Sequence, residues 1–400
     1  MSKLLHSPLL AENVKLSESA KEVISRIARE EASQLSAPPA TDDPLCPKRR
    51  NRVDHTITEI QTQPDKVQET LREEREAIRE AAKHLCQKDI QHIYMTGCGD
   101  SVAALGGARL LLEQILNIPC EAVQALDFAY YDNRCVGEKS LVIMLSSSGA
   151  TLRTLEAMYV AREKGAQTLA LSNTPGSILM EECTRGLIIH ATRKGWPTQA
   201  STAAMAMVMQ LGLDMARELS SYPTQELDVL QKELDGVPAI MREVTDNVQE
   251  KVKELAKLWS EKEMYLFCAG GPSFSGAFFG TAKIKESTPN YAVAIPLEEF
   301  HHYNSIKEND PIFLIAPTGP SVPRARDTLI AARHFGGKTC VITSVQEDEL
   351  CSFADHVIQL PFIRECFSGL CYCIPVQMFG YYTAMEKFRR AEKEAAGQSQ

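Results

Sequence analysis

The sequence predicts an α/β protein with parallel sheets, built twice in tandem. Near-continuous apolar strands alternate with helical stretches, and small-residue loops stand where strands give way to helices. The same alternation returns after a long charged helical stretch. With 400 residues and 44% hydrophobic content, the chain is long enough for more than one core.

Residues 1–52 read as an amino-terminal extension with an amphipathic helical stretch around Ser17 to Ala32. A linker from Ser36 to Pro44 follows, rich in proline and expected to lack fixed structure. The first domain spans 53–224. It opens on a helical pattern from Asp65 to Leu85, with Val67, Leu71, Ile78 and Leu85 on one face. Strand, glycine loop and helix then run from Ile93 to Leu116, strand, serine loop and helix from Leu141 to Lys164, and a further strand from Thr168 to Ser172. A charged helical connector occupies 225–262, and the second domain covers 263–400. There Met264 to Gly271 forms a strand opening into a helix, and the strand Pro311 to Ala316 ends at Pro317-Thr318-Gly319-Pro320-Ser321. The best internal match sets Ala161–Ser172 against Ala332–Thr343, sharing helix, glycine turn, strand and a final hydroxyl.

The apolar run Val142 to Leu145 ends in Ser146-Ser147-Ser148-Gly149-Ala150-Thr151. Hydroxyls and backbone N–H groups at a strand end, with the positive end of the next helix behind them, suit an anionic head group. Taken alone, such a turn is more often a helix cap or a solvated loop. A second small-residue loop, Gly97-Cys98-Gly99-Asp100-Ser101, precedes the other helix, so two consecutive βα units offer the arrangement and can share one ligand. The second copy has prolines at the corresponding loop, and proline supplies neither hydroxyl nor N–H. Only the first copy is expected to hold the anion.

A formal charge of −9 argues against a nucleic-acid or membrane-surface partner. The 12 cysteines form no Cys-x-x-Cys pair and read as reduced thiols of a cytoplasmic protein. The first residues lack the sustained apolar core of a secretory signal, and no stretch is long and apolar enough to span a membrane. No metal-binding spacing is present, and no metal or cofactor is expected.

From Thr58 to Ala384 the chain resembles the tandem sugar-isomerase-domain (SIS) family, in particular the isomerase half of glucosamine-6-phosphate synthase and the fructosamine-phosphate deglycases. The motifs that carry this are Glu59-Ile60-x-x-Gln63-Pro64, Cys98 to Ser101, Ser146 to Thr151, Asn173-x-Pro175-Gly176-Ser177, Ala282-Lys283-Ile284-Lys285-Glu286 and Glu299-Phe300-His301-His302. The resemblance implies two flavodoxin-like αβα sandwiches, with a sugar bound between domains at the carboxyl ends of the strands. It assigns the phosphate to Ser101, Ser146, Ser148 and Thr151, with Cys98, Gly99 and Ser147 beside it. It also sets Ala200-Ser201-Thr202 along the sugar and Lys283 among the substrate contacts. Glu286 matches the carboxylate that moves a proton between C1 and C2. His302, with His301 as the fallback, matches the histidine that opens the sugar ring. In the synthase that histidine comes from the neighbouring subunit, which implies a homodimer with its active site at the subunit interface.

The chemistry independently asks for these residue types. One carboxylate can shuttle a proton between adjacent carbons through a cis-enediol, and ring opening suits a group titrating near neutrality. Glu286 falls at the carboxyl end of a helix stopped by Ser287-Thr288-Pro289, where the dipole disfavours a negative charge. Several features depart from the synthase. A short extension stands in place of its glutaminase domain, so chemistry without nitrogen from glutamine is expected. The carboxyl-terminal stretch Lys387 to Glu394 is a charged helix without the synthase's active-site lysine, Asp100 replaces a hydroxyl, and Tyr303-Asn304 follow His302. The leading expectation is an aldose–ketose isomerase acting on a hexose with phosphate or sulfonate at C6. The alternatives are a fructosamine- or amino-sugar-phosphate deglycase or deaminase, and a non-catalytic sugar-phosphate-sensing regulator.

Overall fold

The computed structural model describes residues 14–34, 43, 45–303 and 306–398; the linker from Ser36 to Pro44, apart from Asp43, lies outside them. The chain opens with α1 (Glu18–Gln34), α2 (Pro47–Gln61), α3 (Gln63–Glu73) and α4 (Arg75–Cys86). There follow β1 (His92–Gly97), α5 (Asp100–Leu116), β2 (Cys120–Gln124), α6 (Ala125–Tyr130), β3 (Ser140–Leu145), α7 (Leu152–Glu163), β4 (Gln167–Ser172), α8 (Ile178–Glu182) and β5 (Arg185–Ile188). Two long helices, α9 (Gln199–Leu219) and α10 (Thr224–Trp259), lead to β6 (Met264–Ala269), α11 (Phe274–Ser287), β7 (Tyr291–Pro296) and β8 (Pro311–Ala316). The chain closes with α12 (Val322–His334), β9 (Lys338–Ser344), α13 (Asp348–Cys351), β10 (His356–Leu360) and α14 (Ser368–Gln398).

Two compact units divide the described residues, one comprising 14–34, 66–192 and 203–232, the other 43, 45–65, 193–202, 233–303 and 306–398. Each holds a five-stranded, wholly parallel sheet, in the orders β2-β1-β3-β4-β5 and β7-β6-β8-β9-β10. The two orders are the same pattern, as the internal repeat requires. The central strands β3 and β8 are buried at every position, which is why they read as unbroken apolar runs. The fold class is therefore α/β with two flavodoxin-like sheets, as the sequence predicts.

Two local expectations are corrected. The single helical pattern from Asp65 to Leu85 is two helices, α3 and α4, parted at Glu74. The Glu74 carboxylate turns inward, accepting from the Ile188 N–H at 3.1 Å and pairing with His190 at 2.9 Å, while Val67, Ile78 and Leu85 stay buried on either side of the break. Residues 53–65 and 193–202, expected with the first domain, group with the second unit. There the Glu59 carboxylate accepts from the N–H groups of Lys194 (2.7 Å) and Gly195 (3.1 Å), and Thr56 Oγ1 accepts from the Trp196 N–H at 3.0 Å. Val53 packs with Ala384 and Phe388 of α14. Among the described residues no helix is long and apolar enough to cross a membrane.

Candidate functional site

In the first unit the chain leaves β1 for β2 on one side and returns to β3 on the other, so the loops after β1 and β3 open next to each other at a topological switch point. Gly99, at φ 58°, turns the first loop into α5 and brings Ser101 into that helix's first turn. Cys98 Sγ lies 3.9 Å from Thr154 Oγ1 on α7, which ties the two loops together. Burial pushes the Cys98 thiol up, away from a reactive thiolate.

The serine loop is built on Gly149, at φ 61°. A Cβ there would lie 1.9 Å from Ser177 Oγ, so both backbone and space demand glycine. Ser146 Oγ and Thr151 Oγ1 are 2.9 Å apart, and Ser148 is exposed, its Oγ accepting from the Ala150 N–H at 3.3 Å. The Ser147 hydroxyl donates instead to Asn173 Oδ1 at 2.8 Å, while its carbonyl accepts from the Ser172 and Thr174 hydroxyls. Ser147 is thus a brace within the loop rather than a free donor. The Asn173 to Ser177 motif holds the loop from beneath, with Asn173 Nδ2 donating to the carbonyls of Ile189 and Ala191.

In the second unit Glu286 occupies the last turn of α11, whose cap Thr288 donates its N–H to the Ile284 carbonyl. Lys283, one turn earlier, has a side chain 0% exposed and donates from Nζ to a Glu286 carboxylate oxygen at 2.5 Å; the Glu286 side chain is 27% exposed. A buried ammonium is tolerated only with a charged, hydrogen-bonded partner, so this pair fixes the position of the carboxylate. Gly380 of α14 makes room for it: a Cβ there would sit 2.6 Å from Lys283 Cβ, and the two helices touch backbone to backbone. Ala200 and Ser201 lie buried at the start of α9 in this same unit, beside Thr202, whose hydroxyl meets Gln63 at 3.2 Å.

A further cation attends the carboxylate and was not anticipated. Arg52 on α2 stacks its guanidinium over Trp196 at 4.3 Å and donates to the Gly195 carbonyl at 2.9 Å. Burial lowers its pKa and Arg193 adds to that, while the negative charges of Glu286 and Glu59 oppose. The only signal in the sequence is a basic run, Lys48-Arg49-Arg50-Asn51-Arg52, which reads as a solvated face.

His302 lies elsewhere. Glu286 precedes the first residue of β7 and His302 follows its last, so the six-residue strand, about 20 Å long, separates them along one sheet. The His302 side chain is 62% exposed, 3.4 Å from Glu298. His301 is fixed: its Nε2 meets Thr328 Oγ1 at 2.9 Å, and since that hydroxyl donates to the Arg324 carbonyl, the imidazole Nε2 carries the proton. Burial, with Arg324 adding, pushes the pKa of His301 down. Among the described residues no group of three His, Cys, Asp or Glu could hold a metal ion.

The family model described as "SIS domain" matches residues 86–213 and 257–387, one match in each half of the chain. A glutamine–fructose-6-phosphate aminotransferase (isomerizing) of Corynebacterium diphtheriae is 32% identical over 312 residues, covering 75% of this chain and 49% of the relative. The chain thus spans about half the length of that relative. Among solved structures, the C-terminal domain of glucosamine-fructose-6-phosphate aminotransferase from Francisella tularensis aligns with a TM-score of 0.77 at 23% identity, covering 83% of this chain and 96% of that one. The tagatose-6-phosphate ketose/aldose isomerase of Escherichia coli aligns with a TM-score of 0.67 at 15% identity, covering 82% and 92%. These two likenesses carry the fold.

Proposed function

Since the chain belongs to the SIS-domain family, we propose that it is an aldose–ketose isomerase acting on a hexose that bears phosphate or sulfonate at C6. The observation that carries this reading is the Glu286 carboxylate, part-exposed and held by the fully buried Lys283 ammonium. A base for enolisation needs that combination of fixed position and access. In this reading the ligand's anion lies against Ser101, Ser146, Ser148 and Thr151, and its binding energy orients the reacting carbons. His302 transfers the proton that opens the ring. Glu286 then takes the proton from the carbon beside the carbonyl, and the electron pair left behind forms a cis-enediolate, within which the hydroxyl proton passes from one oxygen to the other. The same carboxyl returns the proton to the neighbouring carbon as the carbonyl re-forms one position away. Arg52 and Lys283 set positive charge beside Glu286, and Ala200 and Ser201 line the path of the sugar.

A thermal-shift screen against hexose 6-phosphates, amino-sugar phosphates, fructosamine phosphates and 6-sulfo-sugars tests the ligand class. The isomerase reading expects a hit without release of amine; amine released during turnover would transfer the reading to a deglycase or deaminase. Ser148→Ala is expected to weaken binding of the anionic sugar by about 1–2 kcal/mol, the loss of one hydrogen bond to a charged group. Equal affinity for the sugar and its uncharged analogue would contradict the assigned loop.

The separation of Glu286 from His302 along β7 supports a second element of the reading, a homodimer in which each site takes its histidine from the other subunit. Mixing Glu286→Gln with His302→Asn subunits would then restore about a quarter of wild-type turnover, because half of randomly paired dimers are mixed and each carries one intact site. Two inactive variants that stay inactive after mixing would oppose the shared site.

A further inference from the structure

The buried stripe of α1 runs through Ala20, Ile24 and Ile27, which join Val14 and Leu16 in the core against Leu152, Leu155 and Met158. Helical spacing puts the next residue of that stripe at Glu31, which is exposed. Its carboxylate instead accepts from the backbone N–H of Leu152 at 3.1 Å. Leu152 is the first residue of α7, immediately after Thr151, so this N–H belongs to the helix terminus behind the Ser146 to Thr151 loop. The ion pairs of α1, Lys21 with Glu18 and Arg26 with Glu30, stay within the helix.

We propose that Glu31 is a built-in competitor, a carboxylate that takes up the α7 terminus and must yield it when an anionic ligand docks on the serine loop. The inference rests on that loop being the anion site. Glu31 also bears on the neighbouring groups: burial raises the Cys98 thiol and the Glu156 carboxyl, and the charge of Glu31 adds to both. A dianion arriving between Cys98 and the start of α7 therefore meets a fixed negative charge as well as positive dipoles. An aliphatic residue at 31 would leave the N–H to the ligand. The carboxylate gives the amino-terminal helix a hold on ligand affinity, so anything that lifts α1 or neutralises Glu31 tightens binding.

The test titrates inorganic phosphate against the full-length wild type, Glu31→Gln, Glu31→Ala and Ser148→Ala, with thermal unfolding in parallel. Glutamine keeps the acceptor oxygen but not the charge, so a role confined to capping α7 predicts wild-type phosphate affinity for Glu31→Gln and lower thermal stability only for Glu31→Ala; that result overturns the proposal. Competition predicts phosphate binding about fivefold tighter in both Glu31 variants. Weaker binding in Ser148→Ala with no gain in Glu31→Gln rejects the competitor and leaves the anion loop standing. Phosphate binding indifferent to both sites rejects the loop as well.

Discussion

Glu286→Gln is expected to lower turnover by about a thousandfold while ligand affinity stays near wild type, because general acid–base transfer contributes on the order of 10²–10⁴ in rate. The substitution keeps an oxygen for Lys283 but removes the charge that compensates a wholly buried ammonium. A stability loss of about 1–3 kcal/mol in denaturant unfolding accompanies it. Kinetics and unfolding separate the two effects: the protein remains folded and still binds, yet the solvent-exchange step is gone. Turnover at the wild-type rate would reject Glu286 as the base whatever happened to stability.

The second large effect falls on Gly149→Ala. A left-handed backbone costs an L-residue about 1–2 kcal/mol, and a methyl forced to within 1.9 Å of Ser177 Oγ must displace it, adding about 1–3 kcal/mol of overpacking. The loop cannot keep its shape, because Ser177 and Asn173 belong to the brace that holds it. We expect a fall of about 2–5 kcal/mol in unfolding free energy together with loss of anion-dependent binding. Adding Ser177→Gly should recover part of the stability by removing the steric partner, while the backbone term remains. Wild-type melting and binding in Gly149→Ala would show that the loop neither needs this conformation nor holds the ligand.

The strands and their loops were legible because parallel central strands are buried on both faces, which leaves an unmistakable signature in β3 and β8. The repeated strand order followed from the internal match. Partners were much less legible. Periodicity reports that a face is buried, not against what. It therefore passed over the break at Glu74, whose carboxylate serves β5 and His190, and could not tell that α2 packs with the second unit through Val53, Thr56 and Glu59. Arg52 and Glu31 were hidden for the same reason: each looks like a solvated charge until distant segments, Gly195-Trp196 and Leu152, come to meet it. All of β7 lies between Glu286 and His302 in the chain. Ser147 shows the finer limit, since a loop of three serines does not reveal which hydroxyl the fold keeps for itself.

The proposed reaction moves a hydrogen between adjacent carbons of a C6-anionic sugar. Its most direct test incubates the wild-type protein in D2O with hexose 6-phosphates and 6-sulfo-sugars and follows C1 and C2 by NMR. Deuterium is expected at one of those carbons in at least one sugar, with the label absent from the Glu286→Gln reaction. A sugar that binds the serine loop yet gains no deuterium at either carbon would contradict it.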